Sequence, residues 1–378
     1  MNYYRLTQKN RLKEIDILKA IAFIFIIEQH TLGDASNLIL LHNAYYFYFN
    51  KLFFIIAKSG VPIFLCISGI LLFYSYSQEF DVIKYYKKKI LYLYIPYVIW
   101  SLVYVIYKGN YNYIFMQILT GGASYHLWYM GMILRLFIYV PIILWIAKKI
   151  HKQNIYLRIM VFIILMLVFY KILRCNYLIT STLIKVLFNN PTELQERFIN
   201  ITPIIWIGYF IIGIYIATYY EKFRTILLKL KGFVISSFLL LISLKLILEI
   251  NPDVFKIDNN ISVLLWLGCC VSTILFLYII SLKLVNNKRL YNVFKFISKY
   301  SYIGYIIQII VIKYTYRMLN IFTTNNTLLH IMLWISVSFL SPLIVKVISL
   351  IPHTSLVTGI KVKKTIKKEK IGVSILLK

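Results

Sequence analysis

Acidic residues are scarce in this 378-residue chain: 13 Asp and Glu stand against 42 Lys and Arg. Charged residues of both signs make up only 15% of it, and hydrophobic residues 60%. Soluble globular domains are about 25% charged and about 45 to 50% apolar, so both departures exclude an ordinary soluble domain. A formal charge of +29 raises nucleic-acid binding as a first thought, but that needs a basic face on a soluble fold. Here long apolar runs separate the basic clusters, which argues against a nucleic-acid partner and assigns the charge to loops. Cysteine is scarce as well. Cys66, Cys175, Cys269 and Cys270 form no CxxC pair and three lie in apolar stretches, the pattern of small buried hydrophobes, so neither a metal centre nor a disulfide framework is expected. Tandem repeats, low-complexity domains and an appended soluble domain are lacking. The first apolar run, 15–32, has no small-residue cleavage site after it, so the N-terminus reads as an ordinary cytoplasmic start rather than a cleaved signal.

What is present is a series of apolar runs of roughly 17 to 25 residues, the length a helix needs to cross about 30 Å of hydrocarbon. They fall near 15–33, 52–76, 90–107, 126–147, 155–173, 201–219, 232–250, 261–282, 300–318 and 328–350. The fold class expected is all-α: a polytopic integral membrane protein of about ten transmembrane helices. Lys and Arg alternate in density between successive loops, 27 on the side of the N-terminus and 6 on the other. Because basic loops are retained inside, both termini are expected in the cytoplasm. The chain divides into a membrane domain, 1–350, and a basic cytoplasmic tail, 351–378, whose lysines between Lys361 and Lys370 suit lipid headgroups. Tyrosine is abundant, 33 residues, and groups such as Tyr45, Tyr46, Tyr48 and Tyr92, Tyr94, Tyr97 near span ends read as interfacial anchors. A bias toward Lys, Ile, Asn and Tyr suggests a bacterial source and hence a multi-pass bacterial plasma-membrane protein.

Ionisable groups inside apolar spans are costly and face a bundle interior or a wet cavity. The first span is the richest, with Asp16, Lys19, Glu28 and His30, and Asp34 at its outer end. At about 100° per residue, Lys19 and His30 point within about 20° of one another and lie about 16 Å apart along the axis. Asp16 and Asp34 each fall about 40° from His30, whereas Glu28 lies about 160° away. A neutral imidazole in a partly dry cavity is a competent general base, and a carboxylate on its face could orient it. Lys19 could meet an anionic ligand from the cytoplasm or pair with Asp16 at i, i+3. The plainer reading is a satisfied polar cluster that fixes helix packing.

The pattern in IDILKAIAFIFIIEQH, Lys19 followed by ten residues and His30, resembles the first-helix signature of the integral-membrane acyltransferase 3 family, Arg or Lys, ten residues, His. GVPIFLCISGILLFYSY, with Pro62, Phe64, Ser68 and Gly69, is similar to that family's second segment. HLWYMGMILRLFIYVPI from His126 resembles its His-Leu-Trp segment, and IGYFIIGIYIA from Ile207 a later glycine-containing one. SKYSYIGYIIQ, ending at Gln308, is like its Ser-Tyr-x-x-Tyr-x-x-His element. The resemblance covers nearly the whole chain, with two departures. The family's Arg-x-x-Arg before a proline is replaced by Lys84, Lys87, Lys88 and Lys89 ahead of Pro96, point charges where arginine offers a fork. The histidine of the last element is Gln308, which cannot take a proton.

The resemblance implies transfer of an acyl group, acetyl or succinyl, from cytoplasmic acyl-coenzyme A to a saccharide hydroxyl. No permanently bound cofactor is expected; acetyl-coenzyme A is the donor expected, as a substrate. Lys84, Lys87, Lys88 and Lys89, with Lys19, would meet its phosphates, and His30, aided by Asp16, would deprotonate the acceptor hydroxyl. Donors to the tetrahedral oxygen, or substrate contacts, would come from Ser68, His126, Trp128, Tyr129, Tyr305, Gln308 or Lys19. For Ser68 the plainer role is helix packing, and for His126 and Trp128 interface anchoring. The partners expected are the bilayer, a cell-surface or lipid-linked saccharide and other glycan-biosynthesis proteins. Two other classes stay open. A transporter or flippase would suit the intramembrane charges, although inverted repeats and paired interrupted helices are lacking. A polysaccharide polymerase would want a long outer loop with cations, for which 173–200 offers Arg174, Lys185 and Arg197.

Overall fold

The computed structural model describes residues 11–33, 44–76, 79–251, 254–255, 257–323 and 325–360. Asp34 and the lysines from Lys361 to Lys370 lie outside them. Among the described residues the chain is helical throughout, with no strand. The helices are α1 (Lys13–Glu28), α2 (Ala44–Ala57), α3 (Gly60–Tyr76), α4 (Val82–Lys89), α5 (Ile95–Lys108), α6 (Ile114–Thr120), α7 (Trp128–Ile138), α8 (Val140–His151), α9 (Ile155–Arg174), α10 (Asn176–Leu187), α11 (Glu193–Asn200), α12 (Ile207–Thr218), α13 (Tyr220–Lys229), α14 (Lys231–Ile250), α15 (Asn259–Leu284), α16 (Lys288–Leu319), α17 (Asn326–Ile348) and α18 (Ser355–Thr358).

Seven of the described helical stretches are long and apolar enough to cross a membrane: Tyr46–Tyr76, Val82–Lys108, Ile155–Arg174, Glu193–Thr218, Lys231–Ile250, Asn259–Leu284 and Asn326–Ile348. An eighth is the pair Tyr125–Ile138 and Val140–His151, bent by 59°. Pro141 explains the bend, since it lacks an N–H and its ring would strike the carbonyl of Phe137 in a continuous helix. The two other runs expected to span, 15–33 and 300–318, are the polar ones: the first holds Asp16, Lys19 and Glu28, the second Gln308, Lys313 and Arg317. The architecture is that of a multi-pass membrane protein.

α1 is the axis of the bundle, packed by α3, α15, α16 and α17. Ile17, Ala20, Ala22, Phe23 and Ile27 are completely buried, as expected of a helix apolar on every side. Any polar side chain on such a helix must face an internal cavity or a partner. Glu14 has one: it accepts from the Tyr220 hydroxyl at 2.9 Å, and Tyr278 donates to Tyr220 in turn.

The tightest helix pair is α3 with α12. A Cβ on Gly69 would overlap the Phe210 carbonyl, and one on Gly213 the Cys66 carbonyl, so each glycine seats the other helix's backbone. Small residues give membrane helices this closeness, and the dispersion it gains holds them together where lipid supplies no hydrophobic drive. Gly213→Val is expected to destabilise the chain by about 3 kcal/mol through overpacking against rigid backbone. Thermal denaturation in detergent checks this; a melting temperature equal to wild type would refute it.

The tyrosines depart from the interfacial expectation. Tyr46 and Tyr48 are exposed, but Tyr94 donates to Leu134 O at 2.5 Å, Tyr97 to Ile118 O at 2.5 Å and Tyr104 to Ile306 O at 2.8 Å. A phenol carries one donor on a large apolar body, and as lipid offers that donor no acceptor these hydroxyls bond carbonyls of neighbouring helices. The cysteines are free, and Cys66, Cys269 and Cys270 are buried.

Candidate active site

α1 ends in a five-residue π turn, Gln29–Gly33, which carries His30. Inserted π turns re-aim side chains and are frequent at functional sites. The turn is tied to α2, since Gln29 donates to Ala57 O at 2.7 Å and Asn50 to Leu32 O at 3.0 Å. His30 then meets the Tyr125 and His126 rings edge-on, with centroids 5.2 and 6.2 Å away.

His126 is completely buried in the short turn Tyr125–Leu127 that starts α7. Its Nε2 lies 2.9 Å from Ile306 O, which makes that nitrogen the donor and leaves Nδ1 to accept from Ser124 Oγ at 3.2 Å. Tyr305 donates to the backbone oxygen of His126, and their rings are 5.5 Å apart. Arg197 fixes the loop ahead of this turn by donating to Thr120 O at 3.2 Å, Gly121 O at 3.1 Å and Tyr125 O at 3.0 Å.

At the opposite end of α1, a cavity of about 390 Å³ is lined by Lys19, Lys88, Lys89 and Lys299, with Ser68 and Ser75, and by no carboxylate among the described residues. Lys89 Nζ lies 3.7 Å from the Phe137 ring centre, and Lys299 Nζ donates to the Tyr300 hydroxyl at 3.0 Å. The segment after the last long helix forms part of the wall through Thr358, Gly359 and Ile360. It is held by Trp100 Nε1 donating to Val357 O at 3.1 Å, and Gly359 takes a φ of 63°, a glycine conformation, against Tyr92 O. A second cavity, about 220 Å³, shares Lys19, Ser68, Lys89 and Tyr302 with the first and reaches on to Phe64, Tyr129 and Tyr305. Tyr129 lies 6.0 Å from Tyr305, ring to ring. A run of cavity and aromatic edges therefore leads from four ammonium groups to His126 and then His30. Such a run can accept an anionic, elongated ligand from the lysine end and present its far end to an imidazole.

The residues expected to form the site sort themselves differently. Lys19, Lys88, Lys89, Ser68, Tyr129 and Tyr305 line one or both cavities. Lys84 and Lys87 are exposed and line neither. Asp16 does not accompany His30, from which it is about 21 Å distant along the helix. It is held at 2.6 Å by Arg11 and accepts from the Tyr291 hydroxyl at 3.1 Å, so its ion pair is with Arg11 and not with Lys19. Trp128 packs on Trp206 at 5.2 Å. Gln308 is fully buried with neither amide atom hydrogen bonded.

Three residues absent from the expected site belong to its frame. Lys299 lines the first cavity, and its one signal was position, one residue into the Ser298–Gln308 element. Arg197, counted only as loop charge, spends its guanidinium on backbone, which removes one cation from the loop that a polymerase would use. Arg135 donates to Gly131 O at 3.1 Å, Phe198 O at 2.8 Å and Ile201 O at 2.6 Å; an arginine inside the fourth span was signal enough.

No curated protein and no solved structure matches this chain. A family model described as an acyltransferase domain matches residues 12–349, from the first turn of α1 to the end of α17 and so across the helices that carry the cavity lysines, His126 and His30. On that match, the chain belongs to the acyltransferase 3 family of membrane acyltransferases.

Proposed function

We propose that this membrane acyltransferase moves an acetyl or succinyl group from cytoplasmic acyl-coenzyme A to a hydroxyl of a cell-surface or lipid-linked saccharide, with His30 as general base. The observation that carries the reading is the lysine-lined cavity and its continuation toward His126 and His30. Four ammonium groups suit the phosphates of a nucleotide thioester, and the narrower apolar second cavity suits its thin arm. The thioester carbon would lie beyond Tyr129 and Tyr305. His30 takes the proton of the acceptor hydroxyl, the hydroxyl oxygen bonds to the thioester carbon, and the carbon–sulfur bond breaks to release a thiolate, which is protonated to the thiol as His30 gives its proton up. The Tyr129 hydroxyl is the nearest candidate donor to the tetrahedral oxygen, since Tyr305 already spends its hydrogen on His126 O. Asp16 acts through packing, by anchoring the start of α1 to Arg11 and Tyr291.

This reading goes with ten membrane crossings and both termini in the cytoplasm, as the 27 to 6 division of basic residues supports. Membranes containing the chain, given radiolabelled acetyl-coenzyme A and a cell-surface glycan, are expected to release free thiol and label the glycan. A transporter or polymerase leaves the thioester intact, so an unchanged thioester pool would overturn the reading.

A further inference from the structure

A second built feature lies away from the lysine cavities. Helices α8, α9 and α12 leave between them a groove of about 220 Å³ walled by Ile146, Ile150, Phe162, Leu165 and Ile211. It shares no lining residue with either lysine cavity. The 59° bend between α7 and α8 turns α8 out of line with the helix before it, which accounts for the gap. At one end of the groove stand His151 and Arg158. The Nδ1 of His151 and the Nε of Arg158 are buried there without a hydrogen-bond partner, and the Arg158 guanidinium lies 5.5 Å from the Tyr219 ring centre. Among the described residues no carboxylate lines the groove, and Lys148, Lys149 and Lys152 cluster at the same end of α8.

We propose that this groove holds one acyl chain of an anionic phospholipid, with the lipid phosphate on Arg158 and His151. The walls match hydrocarbon, and a buried donor left unpaired is costly unless a ligand atom meets it. A guanidinium presents a fork of N–H groups that fits phosphate oxygens. Arg158 is the formally charged residue lining the groove among the described residues, and Lys148, Lys149 and Lys152 add positive charge at that end, so the complement is a headgroup with net negative charge rather than a zwitterion. The basic side of the chain is also the side on which membranes carry acidic lipid.

The test uses the full chain purified in a neutral detergent, with native mass spectrometry and thermal denaturation as readouts. Added dioleoylphosphatidylglycerol is expected to be retained as one molecule at a roughly tenfold lower concentration than dioleoylphosphatidylcholine and to raise the melting temperature. That ratio corresponds to about one charge-assisted hydrogen bond. Inorganic phosphate alone is expected to leave the melting temperature unchanged. Arg158→Gln is expected to bring phosphatidylglycerol down to the phosphatidylcholine level, and Ile211→Trp, which fills the groove, to abolish retention of both. Equal retention of the two lipids by the wild-type chain would overturn the proposal, as would a shift reproduced by phosphate alone or a preference that survives in Arg158→Gln. Should Arg158→Gln fail to accumulate, Ile211→Trp decides, and undiminished phosphatidylglycerol retention in it overturns the proposal.

Discussion

Replacing His30 by alanine lowers acyl transfer by about 10²- to 10⁴-fold, the range a positioned general base contributes, while the chain still inserts and accumulates. The separation of the two effects follows from position. His30 is only half buried and sits in a π turn held to α2 by its neighbours Gln29 and Leu32 rather than by the imidazole. His30→Gln keeps a hydrogen-bonding group of similar reach but cannot take a proton, so it is expected to be as inactive as the alanine variant. His126 behaves differently. Its ring joins the start of α7 to Ile306 of α16 from a fully buried position among Tyr104, Tyr125 and Tyr305, so His126→Ala opens a cavity there and lowers the amount of folded protein as well as the rate. The measurement is glycan labelling from radiolabelled acetyl-coenzyme A, normalised to protein in the membrane. Labelling at the wild-type rate in His30→Gln would remove the general-base role.

The second large effect separates lysines that are adjacent in sequence. Lys88→Gln with Lys89→Gln is expected to raise the apparent KM for acyl-coenzyme A by about tenfold, since two solvent-screened charge-assisted contacts to phosphate are worth about 0.7 kcal/mol each. The companion pair, Lys84→Gln with Lys87→Gln, is expected to change it less than about twofold, because neither side chain lines the cavities and a remote exposed charge is screened within about 10 Å. The kcat of both double variants stays near wild type, as the lysines bind the donor far from the reacting carbon. Equal KM increases in the two pairs would mean that the charge acts through the membrane surface, and no increase in either would end the phosphate assignment.

Much of the fold was legible in the chain because membrane insertion is governed by local quantities. Span length, apolar content and the placement of Lys and Arg each depend on a short window, and seven of the expected spans, with the bent pair at 126–147, correspond to helices able to cross. The alignment of Lys19 with His30 was readable for a similar reason: both lie on one helix, and the helical period places them toward the same interior side. The glycines of α3 and α12 were visible as residues, but which backbone each one seats was not.

The candidate site divides along the same line. Chain order alone determined that the first span carries an ammonium and an imidazole on one face, that a lysine cluster stands ahead of Pro96, and that these motifs occur in the order the acyltransferase 3 family uses. Only the tertiary structure decided that Asp16 belongs to Arg11 and Tyr291, that Lys88 and Lys89 rather than Lys84 and Lys87 enter the cavity, and that His126 lies beside His30. The physical reason is that periodicity describes directions within one helix, whereas a partner is chosen by how helices rotate against one another. That rotation is set by packing, by the π turn after Glu28 and by the proline bend in the fourth span, and side chains far apart in the chain, such as those of Asp16 and Tyr291, meet as its result.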